Sequence, residues 1–492
     1  MGWENAAELY KSCMNILEDY NKGKKQIVVV SAMRSPETNT TDYLIELGHL
    51  LAEENIDEKK VLDILSDIQD FHKEVSCEKL SQYDINIEEY IDTFFIDVAE
   101  NIRFYIHQKD KEIIPSIEND YSIMDKAWRT ISLLWFWEKV SSEILSHVVS
   151  QITHDTKTVS IDLWSLVATD ETIHLWQWEI FSLLEEKIFW ATKTCIENKQ
   201  IPILSGFIWS LNGWIENAIG RWYSDATAAI CVVGYAHKWY TWVLEIQKSV
   251  KWVLTADPRV LYDASSARLI KEIDYVIARE ITGDSGANAK LLHSQAIREE
   301  VQDAGVKIHL FDPFSLDDEN GTWILPEVTQ SAGKIFVGGR NNIVFFSISS
   351  GKMFESWVLA SIFTVVKEYF SVDIISASET EVTFTIDGNK DIQEKLDTMS
   401  ERLRIECNIH ENTKMEFIEY DMDKALIFCI GQHMRNNIGL LARASAILSE
   451  NDINIELVSQ WRLQRAMVFG IEGTHMQKAI NVLHDAFIQD PS

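Results

Sequence analysis

Short runs of apolar residues alternate with longer helical patterns in the part of the chain that precedes Gly321. Apolar residues recur at helical spacing from Ala6 to Asn21, and a β-branched run at residues 26–33 follows them. Helical patterns fill most of residues 44–106. Further apolar runs lie at 158–163, 201–207, 243–246 and 306–311, and further helices are predicted at 226–233 and 289–304. Strands that alternate with helices predict an α/β core with a largely parallel sheet.

Beyond residue 330 the order strand, helix, strand, strand occurs twice. The first copy is predicted at residues 343–348, 355–370, 372–375 and 382–386, and the second at 425–430, 439–450, 453–458 and 465–471. A final helix begins at Met476. This order is that of a ferredoxin-like module, so the pattern predicts two tandem modules, which suggests a regulatory pair.

Length and charge narrow the possible functions. The chain has 492 residues, which predicts about three domains. Its 45 Lys and Arg residues against 76 Asp and Glu give a net charge of −31, and no basic cluster could follow a phosphate backbone. We therefore expect the protein not to bind nucleic acid.

The remaining composition predicts a cytoplasmic protein. No apolar run approaches the roughly 20 residues of a membrane-spanning helix, and the first residues lack the order of a signal peptide. The cysteines lie far apart without a CxxC pair or a neighbouring histidine, so we expect reduced thiols and no metal site at Cys13, Cys77, Cys195, Cys231, Cys407 and Cys429.

Three short segments hold the densest cluster of unusual residues: Ser205–Ile208, Gly220–Asp225 and Thr255–Arg259. Phosphoryl transfer needs backbone N–H groups near phosphate oxygens, cations for the developing charge and a carboxylate that positions metal or donor. These segments contain residues suited to each task. They predict a kinase-like site.

With these segments, several ordered stretches resemble the aspartate kinase (aspartokinase) family over nearly the whole chain. Residues 28–33 with 41–44 resemble VVVSAM…TDxL, and residues 133–138 resemble LLSFGE. Residues 205–208, 220–225, 245–259 and 289–293 resemble, in order, GFIG, GRGYTD, EIWTDVDGVYTADPR and AKVLHP. The resemblance implies an amino-acid-kinase three-layer sandwich over residues 1–325, and paired ACT domains at 333–410 and 415–492.

The resemblance also implies an activity and its site. In the family the β-carboxylate of L-aspartate attacks the γ-phosphate of ATP, with Mg²⁺, in the first step towards lysine, threonine and methionine. Aspartate would be bound by Thr41, Glu138, Phe207 and Arg221, and the catalytic residues between substrate and phosphates would be Ser224 and Asp225. The nucleotide would be held by Lys248, Ser249, Arg259 and Lys290, and an amino-acid effector by Glu355, Ser356 and Asn437. A homodimer or higher homo-oligomer through the ACT domains is implied as well.

Ordinary interpretations remain open for several of these side chains. The position of Glu138 after an apolar stretch is also typical of a solvated or capping carboxylate. The position of Thr41 before Asp42 is also typical of a helix cap. Arg259 and Lys290 are also typical of solvated surface residues. In the first repeat, the turn before the predicted helix would direct helix N–H groups at an effector carboxylate.

Two departures from the family pattern stand out. The opening KFGGTS strand, whose lysine neutralises the transferring phosphoryl group, is absent, and an upstream start codon would restore it. Tryptophan replaces the family's glycine at Trp137, Trp209, Trp222, Trp252, Trp357 and Trp461.

An indole at a glycine position should clash, because glycine is used where the backbone needs positive φ or approaches a ligand closely. We hypothesise that the gene's organism reads UGA as glycine. The 17 tryptophans and 20 glycines together would then approach the usual glycine content of about 7%. Mass spectrometry of the native protein distinguishes the two residues.

Two further functions remain as alternatives. A non-catalytic amino-acid sensor of the same fold would explain the missing lysine and the tryptophans, although it would not explain why Arg221, Ser224 and Asp225 are all present. A kinase for another acidic substrate, such as glutamate or its N-acetyl form, is the third interpretation, and the paired ACT repeats favour aspartate over it.

Overall fold

The computed structural model describes much of the chain in two compact units. The described residues are 6–31, 46–47, 50–51, 56–80, 85–109, 137–153, 158–163, 166, 177–206, 223–247, 253–283, 286–287, 289, 292–313, 321–328, 335–353, 355–388, 392–407, 409, 416–432, 434, 437–460 and 465–489. The first unit comprises Met1–Lys251 and Gln295–Asn320, and the second comprises Trp252–Ser294 and Gly321–Ser492.

Parallel strands and surrounding helices build the first unit. Its strands are β1 (Val28–Val30), β2 (Thr158–Ile161), β3 (Ile201–Ser205), β4 (Val243–Gln247) and β6 (Lys307–Phe311). Its helices are α1 (Ala6–Asn21), α2 (Glu58–Leu80), α3 (Glu88–Lys109), α4 (Trp137–Thr153), α5 (Gln177–Glu197), α6 (Tyr223–Ala236) and α8 (Glu299–Asp303).

The strands pair in parallel, as the apolar runs predicted. One sheet has the order β1-β3-β2, with Val28 opposite Ile203 and Thr158 opposite Ile201. Every residue of β3 is buried, as expected for a strand covered on both faces. β4 pairs in parallel with β6. The helix predicted at 289–304 is wrong in extent, because its described part is a 3₁₀ turn at Ser294–Ile297 followed by the short α8.

An antiparallel sheet forms the centre of the second unit. Its order is β12-β13-β11-β8-β10-β9, with strands β8 (Ile335–Ser349), β9 (Ile375–Ala377), β10 (Glu381–Asp387), β11 (Phe417–Gly431), β12 (Leu457–Gln460) and β13 (Ala466–Glu472). Its helices are α7 (Tyr275–Thr282), α9 (Ser356–Val366), α10 (Ile392–Glu406), α11 (Leu440–Glu450) and α12 (Met476–His484). β5 (Glu272–Asp274) pairs in parallel with β7 (Thr322–Leu325).

The two predicted repeats share this sheet. Each has the predicted order of strand, helix, strand, strand, and each packs its own apolar core. The first strands of both repeats, β8 and β11, lie side by side, with Ile335 opposite Gly431 and Ser349 opposite Phe417. The sequence pattern did not indicate that pairing, nor the full length of either strand.

The division into two units bears on the predicted domain limits. Residues 252–294 group with the C-terminal repeats, although they fall inside the predicted domain 1–325, and the predicted domain limits stay predictions.

No described helix has the length and apolar content that a membrane crossing requires.

One tryptophan occupies a backbone conformation that normally selects glycine. Trp239 follows α6 with a φ of +67°. Its N–H donates to the Ala236 carbonyl at 2.9 Å, and the Tyr240 N–H donates to the Tyr235 carbonyl at 3.1 Å. These two bonds form the Schellman motif, whose left-handed residue is usually glycine. The same pair of hydrogen bonds follows α1, where the left-handed residue is Gly23.

Trp357, in contrast to Trp239, has an ordinary helical backbone conformation. It lies in the first turn of α9, its indole is 45% exposed, and its Nε1 donates to Glu355. The expected clash at this position is therefore wrong, because a helical residue with an exposed side chain needs no glycine. The side chain of Trp137 and all of Trp209, Trp222, Trp252 and Trp461 lie outside the described residues.

Replacing Trp239 with glycine is expected to raise the free energy of unfolding by about 1 kcal/mol, because it relieves the left-handed strain. Little packing is lost, since the side chain is 97% exposed. Trp190→Gly, within α5, is the control and should lower the free energy of unfolding by about 1 kcal/mol. Urea unfolding measures both. Destabilisation by Trp239→Gly would contradict the interpretation.

Candidate functional site

The carboxyl ends of β1 and β3 lie at the same edge of the first unit's sheet. The two strands are parallel neighbours, with Val30 opposite Ser205 at their last residues. Gly206 follows β3, and α6 begins at Tyr223. Ligands of parallel α/β sheets bind beyond the carboxyl ends of the strands. This edge is the candidate site.

Gly206 allows the first turn of α6 to approach the end of the strands. A Cβ atom built on Gly206 would lie 2.3 Å from the Val30 carbonyl oxygen and 2.5 Å from Ser224 Cβ. The Thr227 hydroxyl donates to the Gly206 carbonyl at 2.8 Å, and Thr227 is buried. Strand end and helix start are therefore locked together, and only a residue without a side chain fits between them.

This contact fixes Ser224 and Asp225 at the edge. Both are partly buried, and both belong to the first turn of α6. The N-terminal end of a helix carries partial positive charge and unsatisfied N–H groups, which favour phosphate or carboxylate groups nearby. The structure thus brings these two sequence-predicted residues together at a position suited to anionic ligands.

A cavity of about 1070 Å³ opens between β1 and β4, and Ser224 and Asp225 line it. α1 contributes Ile16 and Asp19, and α6 contributes a stripe at helical spacing that comprises Ala228, Cys231, Val232 and Tyr235. Burial raises the pKa of Cys231 to about 12, so this thiol is neutral and not a nucleophile. The cavity is therefore a candidate binding space without a thiolate.

Arg259 lies in the second unit, on an exposed turn. Its guanidinium is 2.7 Å from a carboxylate oxygen of Asp257, and its side chain is 89% exposed. The hydrogen bond from Arg259 holds the pKa of Asp257 below its usual range. An exposed pair of this kind adds little stability, so the guanidinium can exchange this partner for a phosphate at small cost.

The predicted effector residues lie at two helix starts of the second unit. Glu355 is the N-cap residue of α9 without a side-chain capping bond, and Ser356 is the first residue of that helix. Asn437 is exposed and precedes α11, whose N-cap Gly439 has a φ of +88°. The structure thus places Glu355 and Ser356 at the predicted strand-to-helix turn.

Other predicted site residues are only partly placed. Glu138 is the second residue of α4. Outside the described residues lie Thr41, Phe207, Arg221, Lys248, Ser249 and Lys290. Within the described part of the chain, no three His, Cys, Asp or Glu side chains form a group that could hold a metal ion.

Sequence reasoning missed Thr227. Its signal is a hydroxyl three residues after Ser224, in the stretch 226–234 of α6 that is otherwise built from small and apolar residues. Such a hydroxyl needs a buried partner, and the Gly206 carbonyl is that partner.

The amino acid kinase family model matches residues 4–312, which is more than half of the chain, and an ACT domain model matches residues 427–487. The chain belongs to the amino acid kinase family. The resemblance and the α/β fold class predicted from the sequence are thereby confirmed.

Several curated relatives are similar to this amino acid kinase. An aspartate kinase of Gibberella fujikuroi is 26% identical over 321 residues, and the match covers 58% of each chain. The aspartokinase of Candida albicans is 24% identical over 484 residues, which cover 91% of this chain and 81% of that protein. The chain thus spans less than two thirds of the Gibberella relative's length.

Solved structures show the same fold over almost the whole chain. Aspartate kinase of Clostridium acetobutylicum has a TM-score of 0.67 and 19% identity, with 99% of this chain and 98% of that chain covered. Aspartokinase III of Escherichia coli, in complex with aspartate and ADP, has a TM-score of 0.66 and 18% identity, with 98% of each chain covered.

Gly206→Ala is expected to lower the free energy of unfolding by about 2 kcal/mol, because the added methyl group overlaps Val30 and Ser224. Gly351→Ala is the matched control, since a Cβ atom there meets nothing within 4 Å. It should change stability by less than about 0.5 kcal/mol. Thermal and urea unfolding measure both variants. Equal stability of Gly206→Ala and the parent chain would refute the close contact.

Proposed function

We propose that this chain is an aspartate kinase, which transfers the γ-phosphoryl group of ATP to the β-carboxylate of L-aspartate and forms 4-phospho-L-aspartate. The observation that carries the proposal is the position of Ser224 and Asp225. They lie in the first turn of α6, at the carboxyl edge of a parallel sheet, locked there by Gly206. The aspartate kinase relatives and the paired C-terminal repeats support aspartate as the substrate.

The proposed roles follow from chemistry. Arg221 would hold a substrate carboxylate by two parallel hydrogen bonds, since a guanidinium suits that geometry. Thr41, Glu138 and Phe207 would complete the aspartate site. Ser224 and Asp225 would lie between substrate and phosphates. The nucleotide would be bound by Lys248, Ser249, Arg259 and Lys290.

Mg²⁺ would enter with the nucleotide. Proteins bind Mg²⁺ through one or two carboxylates together with substrate phosphates, and not through a dedicated protein cage. Asp225 is a carboxylate at the proposed phosphate position, so the residues present fit a nucleotide-bound ion. The ion would neutralise charge on the transferring phosphoryl group.

Regulation by an amino acid is part of the proposal. The E. coli relative is described both with aspartate and ADP and with lysine and aspartate. An end-product amino acid would bind this chain near Glu355, Ser356 and Asn437 and inhibit the first step towards lysine, threonine and methionine. We further propose a cytoplasmic homodimer, or a higher homo-oligomer, joined through the ACT domains.

We propose that a strand with the KFGGTS lysine of the family lies in the cavity between β1 and β4. β1 and β4 are the terminal strands of their described sheets, and both line the cavity. α1 leads directly into β1, and parallel crossovers are right-handed. A strand joined to the start of α1 would therefore lie beside β1, under the apolar stripe of α6. Its lysine would reach the edge that Ser224 and Asp225 occupy.

Adding a Lys-Phe-Gly-Gly-Thr-Ser strand before residue 1 is expected to increase aspartyl hydroxamate formation with MgATP by at least about a hundredfold, since the lysine stabilises transition-state charge. The control carries alanine in place of that lysine. Full turnover by the 492-residue chain alone, or equal turnover of both extended proteins, would contradict the role of the strand.

Asp225→Asn in the extended protein is expected to lower kcat by about a thousandfold, because the neutral amide cannot position the phosphoryl donor. Asp303→Asn, at an exposed residue of α8, is the control and should leave kcat unchanged. Circular dichroism checks that both variants are folded. Undiminished hydroxamate formation by Asp225→Asn would remove its catalytic role. No hydroxamate from any form would favour the sensor interpretation.

A further inference from the structure

Helix α12 presents three polar side chains to the turn that carries Asp257 and Arg259. The three residues lie at helical spacing on one face and are Gln477, Asn481 and His484. Each forms a hydrogen bond with the segment 255–262. The helix belongs to the second repeat, within the ACT domain match at 427–487. The turn belongs to the segment that resembles the family's nucleotide loop.

Asn481 holds the C-terminal side of this turn. Its Oδ1 accepts from the Tyr262 N–H at 2.7 Å, and its Nδ2 donates to the Val260 carbonyl at 3.1 Å. Gln477 Nε2 donates to the same Val260 carbonyl at 3.1 Å. Asn481 is only 5% exposed. A buried amide that binds backbone on both of its atoms fixes the local path of the chain.

His484 holds the N-terminal side of the turn. Its Nε2 lies 2.9 Å from the Thr255 hydroxyl, and both residues are fully buried. The Thr255 carbonyl accepts from the Val337 N–H of β8 at 2.7 Å. The residue before Ala256 and Asp257 is therefore tied to two elements of the C-terminal repeats.

Apolar packing also joins the turn to α12. Ala256 and Leu261 are buried in one core with Ile480 and Leu483 of α12. Between these anchors Arg259 is exposed, whereas Asp257 is partly buried. A shift of α12 would move both ends of the turn together.

We infer that α12 positions the Arg259 turn, so that the second repeat sets the affinity of the kinase for ATP through Asn481 and His484. This inference rests on the proposed function, because it needs Arg259 to contact the nucleotide. Asn481 and His484 are positioning residues and touch no ligand. Loss of one or two buried hydrogen bonds predicts about a tenfold effect.

The variant Asn481→Leu tests the inference in the full, extended chain. It is expected to raise the KM for ATP about tenfold and leave the KM for aspartate within about twofold. Hydrogen exchange at the Tyr262 amide should speed up by a similar factor, since its acceptor is gone. Asn451→Leu is the matched control, because Asn451 lies in the same repeat and its side-chain amide donates to the Ile447 carbonyl of α11. It should change none of these quantities.

Gln477→Leu is the second variant and keeps the test decisive if Asn481→Leu fails to fold. Gln477 is exposed and donates one bond to Val260, so this change should raise the KM for ATP about twofold to threefold. Faster exchange in either variant without a change in the KM for ATP overturns the inference. An equal rise in both KM values also overturns it.

A failure of the proposed function looks different. It appears in the parent chain, as absence of ATP-dependent aspartate phosphorylation, and it removes the inference as well. A failure of the inference alone appears only in the variants, while the parent chain remains active.

Discussion

The contact between Gly206 and the first turn of α6 determines where the candidate site lies. A strand end and a helix start meet there without any intervening side chain, and Thr227 fixes the contact with a hydrogen bond. Ser224 and Asp225 gain their position from this contact, since they follow the start of α6 directly. The parallel arrangement of β1 and β3 brings their carboxyl ends to the same edge. A polar, partly positive edge beside a large cavity is suited to anionic substrates.

A second constraint concerns the turn with Arg259. Its flanking residues are built into the core of the C-terminal repeats and are held by one face of α12. The candidate nucleotide-binding residue Arg259 therefore lies on a segment that packs against the C-terminal repeats. In the inference drawn above, this packing would pass a displacement of α12 on to the turn, because a well-packed core has low compressibility.

Much of this fold could be predicted from local sequence. The β-branched runs that became β1, β3 and β4 are short, apolar and bounded by turns, and the two ferredoxin-like repeats were visible as a recurring order of elements. The pairing of β8 with β11 was not predictable, because it joins residues far apart in sequence. Thr227, Asn481 and His484 were missed for the same reason. Trp357 shows that a family glycine position is not always a strained one, whereas the strain at Trp239 becomes visible only through its φ.

The most direct test of the proposed site is a crystal structure of the extended chain with L-aspartate and MgADP. Phosphate oxygens are predicted within about 3 Å of Ser224 or of the backbone N–H groups in the first turn of α6, with the aspartate β-carboxylate facing them. Binding of the nucleotide or the aspartate away from this edge, with Ser224 and Asp225 in contact with neither, would contradict the account.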